Sequence, residues 1–486
     1  MFVLILLLVA TFLLWEIFRF YRRAASLPPG PFAVPLLGNY VNVITPPFEF
    51  RGMRRMNEKF GPVTTVHAPF PVVNIADFET MRDAFRSNDM SGRMHNIFFE
   101  TTRMVENGGI INSDGEEWKE QRRFAIATLR DFGMGKNLME EKVRLSARNM
   151  VDFISKKGLN NGDLRWPIQV FVSNIVNEFL FGFQFPFDDC SELMDFVHGF
   201  NDAIEKIANS KIVMITVMMP WLRHVPFIRS SFLKVQSSLL ENTAYISKQA
   251  KAVKYDPNEE PTCFVQAFHK KGKDQRFEQL LACCLDIFTA GQETTTSTLR
   301  WAMLFLAAHP EAQEKLRTEI HEKIGKDRIA AMSDKANMPY TSATINEIQR
   351  CGNIVAVNPV LYHRTTVETR IGGFIVPANT MVNGDLHQMM QTDPLFEQPE
   401  RFWPERYLAE DGVTLRKELV ERTIPFGIGK RQCAGEGLAR AELFIGLVSL
   451  VQHFRISPLP GAKIDLEPIY TSFHFPKPQN FRLERV

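Results

Sequence analysis

Residues Pro425 to Gly437 read PFGIGKRQCAGEG. Gly427, Gly429, Gly435 and Gly437 surround a single cysteine, Cys433. Glycine permits tight turns and close approach of another group to the backbone. Helical spacing follows at once in Leu438, Ala441, Leu443, Phe444, Leu447, Val448 and Leu450. The loop therefore feeds a helix start, where unpaired N–H groups and the positive dipole end favour a thiolate, the form that ligates metal. Lys430 and Arg431 add positive charge. A phosphate-cradling loop is the rival reading, but the order G-x-x-x-x-G-K-[ST] is absent.

The remaining cysteines, at 190, 263, 283, 284 and 351, form no C-x-x-C pair. Six in 486 residues are too few for a disulfide framework, and their spacing does not suit a structural zinc site. Lys and Arg number 57 against 55 Asp and Glu, with 45% apolar residues. Such a chain is too apolar to be disordered and lacks the basic excess of a nucleic-acid binder. Phenylalanine occurs 40 times and methionine 20 times, which points to a large apolar interior or a cavity lined for an apolar ligand.

Met1 to Trp15 read MFVLILLLVATFLLW, and Tyr21-Arg22-Arg23 close the segment. With Ile17 and Phe18 the run reaches the lower limit for a membrane span, flawed by Glu16. The basic flank follows the apolar run and no small-residue cleavage site is present, the reverse of a secretory signal. Residues 1–20 therefore read as an anchor with the body on the positive, cytoplasmic side. A signal peptide or a buried helix is the alternative. Residues 21–31, with Pro28-Pro29-Gly30-Pro31, read as a basic, stiff, extended hinge.

Residues 32–486 show no second linker and read as one mainly helical body with small sheets. Helical periods cover 138–157, 191–208, 277–308 and 311–324, with Pro310 separating the last two. Val63–Val66 and Val72–Ile75 suggest a hairpin, and 369–382 a second strand region around Gly372-Gly373. The segment 212–227, IVMITVMMPWLRHVPF, reads either as a buried helix end or as a membrane-touching lid.

Three further patterns accompany the cysteine loop. Glu347 and Arg350 share a helix face, as do Trp118 and Arg122. Ala290-Gly291-Gln292-Glu293-Thr294-Thr295 interrupts the long helix with a missing side chain and a threonine run. Helix preference is low there, so a groove with a hydroxyl can open.

The pattern Phe426-x-x-Gly429-x-Arg431-x-Cys433-x-Gly435 is similar at every defined position to the haem-binding signature of cytochrome P450 enzymes. The chain resembles the microsomal, family 2 type over essentially its whole length. The resemblance implies a mainly α, P450-type helical body with small β-sheets and an N-terminal membrane anchor. It makes Cys433 the axial ligand of haem b, Phe426 a shield for the sulfur, and Arg431 a propionate partner. Trp118 and Arg122 become propionate contacts, as do Arg93 and His363 in Ser91-Gly92-Arg93 and Tyr362-His363-Arg364. Glu347, Arg350 and Arg406 become a structural network behind the loop. Thr294 and Glu293 take the hydroxyl and acid positions of the oxygen groove, with glutamate where many members carry aspartate. Phe98, Phe99, Phe288, Ala290, Val357 and Phe473 become pocket candidates.

The implied activity is monooxygenation of an apolar substrate (xenobiotic, fatty acid or steroid-like) using O2. Electrons would come from an NADPH-dependent reductase, with cytochrome b5 as a further candidate donor. The implied location is the endoplasmic reticulum membrane, with lipid as a partner, the body cytosolic and no role for nucleic acid. Lys119, Arg123, Lys417, Arg422, Lys430 and Arg440 are candidates for a basic docking face. A haem-thiolate isomerase or dehydratase of peroxides is the second reading, and a non-enzymatic haem binder the third. Both leave the Glu293–Thr294 pair without a task.

Overall fold

A computed structural model describes residues 2–35, 38–39, 50–67, 70–94, 97–102, 105–132, 137–158, 162–210, 212–213, 216, 219–271, 276–355, 361–470 and 473–486. Val357 lies outside them. The chain separates into two compact units.

The first unit comprises Met1–Met94, Val357–Asp393 and Gly427–Gln432. Helix α1 (Phe2–Ala25) has no buried residue. Among the described residues it alone is long and apolar enough to cross a membrane. It continues past residue 20, so the expected hinge begins as helix. The proline stretch does not stand off as a spacer either. Thr65 N–H donates to Pro29 O at 2.9 Å, and a Cβ on Gly30 would lie 2.0 Å from Thr65 O. Tyr21 stacks on Phe32 at 5.7 Å and donates its hydroxyl to Ala33 O. Backbone pairing and one aromatic clasp thus tie the segment down.

Strands β1 (Val63–His67) and β2 (Pro71–Ile75) form the expected hairpin, from Val63 opposite Ile75 to His67 opposite Pro71. With β3 (Gly92–Arg93), β4 (His363–Arg364) and β7 (Met381–Gly384) they make a sheet of order β1-β2-β7-β4-β3. Only the β2–β7 pair is parallel. A separate hairpin, β5 (Thr369–Ile371) and β6 (Phe374–Val376), turns at Gly372 and Gly373, both at positive φ. Helix α2 (Phe78–Arg86) is capped by Asp77, whose carboxylate accepts from Thr80 N–H.

The second unit comprises His95–Ala356, Pro394–Phe426 and Cys433–Val486. Its helices are α3 (Gly115–Asp131), α4 (Asn137–Lys157), α5 (Arg165–Phe181), α6 (Ser191–Asn209), α7 (Pro226–Ala252), α8 (Phe277–Ala308), α9 (Pro310–Lys323), α10 (Pro339–Gly352) and α11 (Glu436–His453). Helix α8 is about 48 Å long at 1.5 Å per residue and ends where Pro310 starts α9. Helix α5 is buried on almost every side. Glycines let its neighbours close on it. A Cβ on Gly291 of α8 would come 3.0 Å from Val176, and one on Gly446 of α11 2.8 Å from Phe171.

The segment 212–227 divides between its two readings. Val213 and Thr216 are buried, whereas Trp221 and Phe227 are 65% and 69% exposed around a short turn of 3-10 helix, Pro220–His224.

Candidate functional site

Cys433 lies three residues ahead of α11, with Gly435 as the N-cap. Its N–H donates to Phe426 O at 3.0 Å, which closes the loop on itself. Of the six cysteines it is the exposed one. Burial pushes the thiol up, against a Gly435 N–H hydrogen bond and the nearby Arg122 and Arg440. One expectation needs correction here: the helix start and basic neighbours do not by themselves outweigh desolvation. Arg122 and Arg440 of the same unit are cations that act on the thiol. Arg440 lies 4.9 Å over the Phe426 ring and is paired with Glu436. Trp118 is buried, with Arg122 6.0 Å from its ring.

In α8 a strip of accessible surface interrupts an otherwise buried helix. Ala290 is exposed, and Ile287, Gly291, Thr294 and Thr298 are half-buried. These positions share one face by helical spacing. Thr294 Oγ1 donates to Ala290 O at 2.7 Å. This back-bond occupies its proton on the helix backbone. Glu293 points elsewhere. Its carboxylate accepts from Asn201 Nδ2 of α6 at 3.2 Å and from Ser297 Oγ at 3.1 Å, with Arg165 of α5 3.9 Å away. Glu293 and Thr294 are adjacent in the chain but their side chains part.

Phe288 does not line an open surface. It is fully buried and packs on Phe196 (4.9 Å), Tyr245 (5.9 Å) and Phe181 (6.3 Å). Phe473 is half-buried and stacks on Phe475. Phe98 and Phe99 fall in the helix Ile97–Thr102. Asp286 accepts from Ile110 N–H (2.7 Å) and Ile111 N–H (2.9 Å). It pins the loop before α3 to α8.

The Glu347 network forms a closed triad. Arg350 donates through Nε and Nη2 at 2.8 and 2.9 Å, Arg406 Nε at 3.1 Å, and Trp403 N–H at 2.8 Å. Glu442 of α11, which sequence reasoning passed over, is fully buried beside Thr295, and burial pushes its carboxyl well up.

Among the described residues no group of three or more His, Cys, Asp or Glu could hold a metal ion. Cys433 offers a single soft donor and no cage. That donor set fits a metal whose equatorial positions are already filled, as in a porphyrin. Residues 28–485 match the family described as Cytochrome P450. The chain belongs to the cytochrome P450 family. It is 32% identical to cytochrome P450 2H1 of Gallus gallus, over 98% of this chain and 96% of that protein. It is 33% identical to cytochrome P450 2J3 of Rattus norvegicus (95% and 92%) and 30% identical to cytochrome P450 2A6 of Homo sapiens (96% and 95%). This P450 is therefore an oxidoreductase of the monooxygenase kind with a cysteine-ligated haem and the P450 fold.

The first unit of the P450 holds the other sequence-selected residues. Gly429 has φ +82°, and a Cβ there would lie 1.9 Å from Phe85 O, so the loop's glycine is fixed by both conformation and space. Arg431 Nε donates to Ser91 O at 2.7 Å. Arg93 and His363 are register partners across β3 and β4. Arg93 donates to Leu361 O. His363 meets Met90 O through Nδ1 at 2.7 Å and stacks 3.8 Å from Phe85. Burial and the neighbouring Arg93 hold it well below the usual histidine range, hence neutral.

Proposed function

We propose that this P450 inserts one oxygen atom of O2 into an apolar organic substrate, drawn from xenobiotics, fatty acids or steroid-like compounds. Electrons come from an NADPH-dependent reductase, with cytochrome b5 as a second donor. The protein sits in the endoplasmic reticulum membrane through α1, in contact with lipid, and its body faces the cytosol. The observation that carries the reading is Cys433, the one exposed thiol, which lies just before Gly435 and α11 and feels the charges of Arg122 and Arg440.

Cys433 would hold the iron of haem b, and the bound group would supply the reductive activation of O2 and the oxygen transfer. Trp118 and Arg122 are donors suited to a carboxylate such as a propionate. Arg93, Arg431 and His363 are assigned the same role by likeness to the family. Phe426, with Arg440 4.9 Å over its ring, is assigned by likeness to the family as the shield of the sulfur. Thr294 presents a hydroxyl on the open strip of α8, and Glu293 is the acid one residue away that would relay protons to it. Reaching the Thr294 side requires Glu293 to leave Asn201, Ser297 and the more distant Arg165. Ala290 and Phe473 contribute apolar wall. Trp221 and Phe227, with α1, which has no buried residue, offer apolar surface to lipid.

The test is reconstitution in vesicles with an NADPH-dependent reductase and a panel of apolar substrates under labelled O2. One labelled oxygen per product, with matching NADPH use, is expected. Turnover of a hydroperoxide without reductase, and none with it, would favour the isomerase reading.

A further inference from the structure

The end of α1 and the chain that follows it lie in the first unit, with β1. The 24 residues of α1 make about 36 Å of helix, against about 30 Å of bilayer hydrocarbon. The excess of about one turn puts Tyr21, Arg22 and Arg23 at the membrane surface. Whether the body swings there depends on what joins Ala25 to the sheet.

No loose residue lies between them. The N–H groups of Ser26 and Leu27 donate to Arg23 O and Ala24 O, both at 3.2 Å, so the turn continues past the helix end. Leu27 is buried. Pro28 and Pro29 have a fixed φ, and Pro29 O already accepts from Thr65 N–H of β1. A flexible linker has none of these restraints.

Asn39 locks the joint from the far side, at 1% exposure. Its Nδ2 donates to Pro31 O at 2.9 Å and Phe32 O at 2.6 Å, and its Oδ1 accepts from His67 N–H at 2.6 Å. Its own N–H donates to His67 O at 2.7 Å. One side chain thus ties residues 31 and 32 to the end of β1. Gly38, at φ +63°, permits this, because a Cβ there would lie 1.9 Å from His67 O. Two rings of α1 close on the same place. Tyr21 stacks on Phe32 and donates to Ala33 O at 3.2 Å, and Phe20 lies 5.3 Å from the His67 ring. Burial and the nearby Arg23 hold His67 below the usual histidine range, so the ring beside Phe20 is uncharged at neutral pH.

We propose that α1 is a rigid strut and not a tether, and that Tyr21 and Asn39 are positioning residues that lock it to β1 and so fix the tilt of the first unit on the bilayer. This rests on the reading of α1 as a membrane anchor. Apolar substrate concentrates in the bilayer. A fixed tilt therefore governs how substrate is met, and leaves the chemistry after binding alone.

The test uses the haem-loaded, full-length enzyme in phosphatidylcholine vesicles. Nitroxide labels go on Thr11→Cys in α1 and Glu368→Cys in the first unit, both exposed positions. A narrow distribution of label distances is expected, and a several-fold broader one in Tyr21→Ala and in Asn39→Ala. Tyr21→Phe, which keeps the ring, should restore most of the narrowness. With a bilayer-dissolved substrate, KM should rise several-fold in the two alanine variants, while kcat and the Soret maximum of the reduced carbon-monoxide complex stay unchanged. A broad distribution in the parent protein overturns the strut. A narrow one in Tyr21→Ala overturns the role of the clasp, even where Asn39→Ala fails to fold. Release of the parent protein from vesicles by an alkaline wash overturns the anchor reading instead.

Discussion

Glu347 and Glu293 are both buried carboxylates on helices of the same unit, and they are treated in opposite ways. Glu347 is fully buried and meets two guanidinium groups and a backbone N–H at 2.8–3.1 Å. Glu293 is nearly as buried but meets an amide and a hydroxyl, with its nearest guanidinium at 3.9 Å. A carboxylate clamped by bidentate arginine is fixed in place. One held by neutral donors can turn away at modest cost. Glu347 holds the chain around Arg406 by two arginines, whereas Glu293 is held by an amide and a hydroxyl, with Arg165 at 3.9 Å. Glu442 is a third case: among the described residues no cation pairs with it, and burial pushes its carboxyl well up.

Removing the clamp should have the largest effect. Glu347→Ala strands Arg350 and Arg406 as buried cations and should cost about 3–5 kcal/mol. A denaturant titration checks this, and a midpoint near wild type would break the comparison. Arg350→Lys should recover only part of the loss, since a point charge does not replace the fork.

Glu442 gives the pH test. Its folded-state acidity lies above the ordinary carboxyl value, so between the two the folded chain binds the extra proton. Stability should therefore fall as pH rises above about 4.5, by up to about 1.4 kcal/mol per pH unit. Glu442→Gln should remove that slope, which unfolding at a series of pH values checks. Equal slopes would show that Glu442 ionises freely in the fold.

Asp286→Asn keeps shape but loses charge where two N–H groups converge. A cost of about 1–2 kcal/mol is expected, with faster amide exchange at Ile110 and Ile111. The smallest stability change belongs to Glu293→Gln, below about 1 kcal/mol, with coupling of NADPH to product sharply reduced. A large stability loss with coupling intact would make Glu293 a clamp like Glu347.

Much of this was readable from the residues. The span of α8 was visible because Pro310 ends it, and the hairpin of β1 and β2 because apolar runs flank a turn. The cysteine loop and the Glu347–Arg350 pair stood out by spacing. Helix α5 did not, because it is buried on almost every side and its polar stripe of Gln169, Ser173 and Asn177 is buried with the rest, so no solvent face marks it. Phe288 shows the other limit: spacing places a ring on a face of α8 but does not say which face is packed and which is open. The turn of Glu293 toward Asn201, and the clasp of Asp286 on residues 110–111, depend on segments far apart in sequence. No local pattern encodes them.

The central claim is that Cys433 ligates haem iron, and it is tested most directly by the reduced carbon-monoxide spectrum of wild type and Cys433→Ser. The account predicts a strongly red-shifted Soret band in wild type that is lost in the variant even where haem is retained. The same red-shifted band in Cys433→Ser would contradict it.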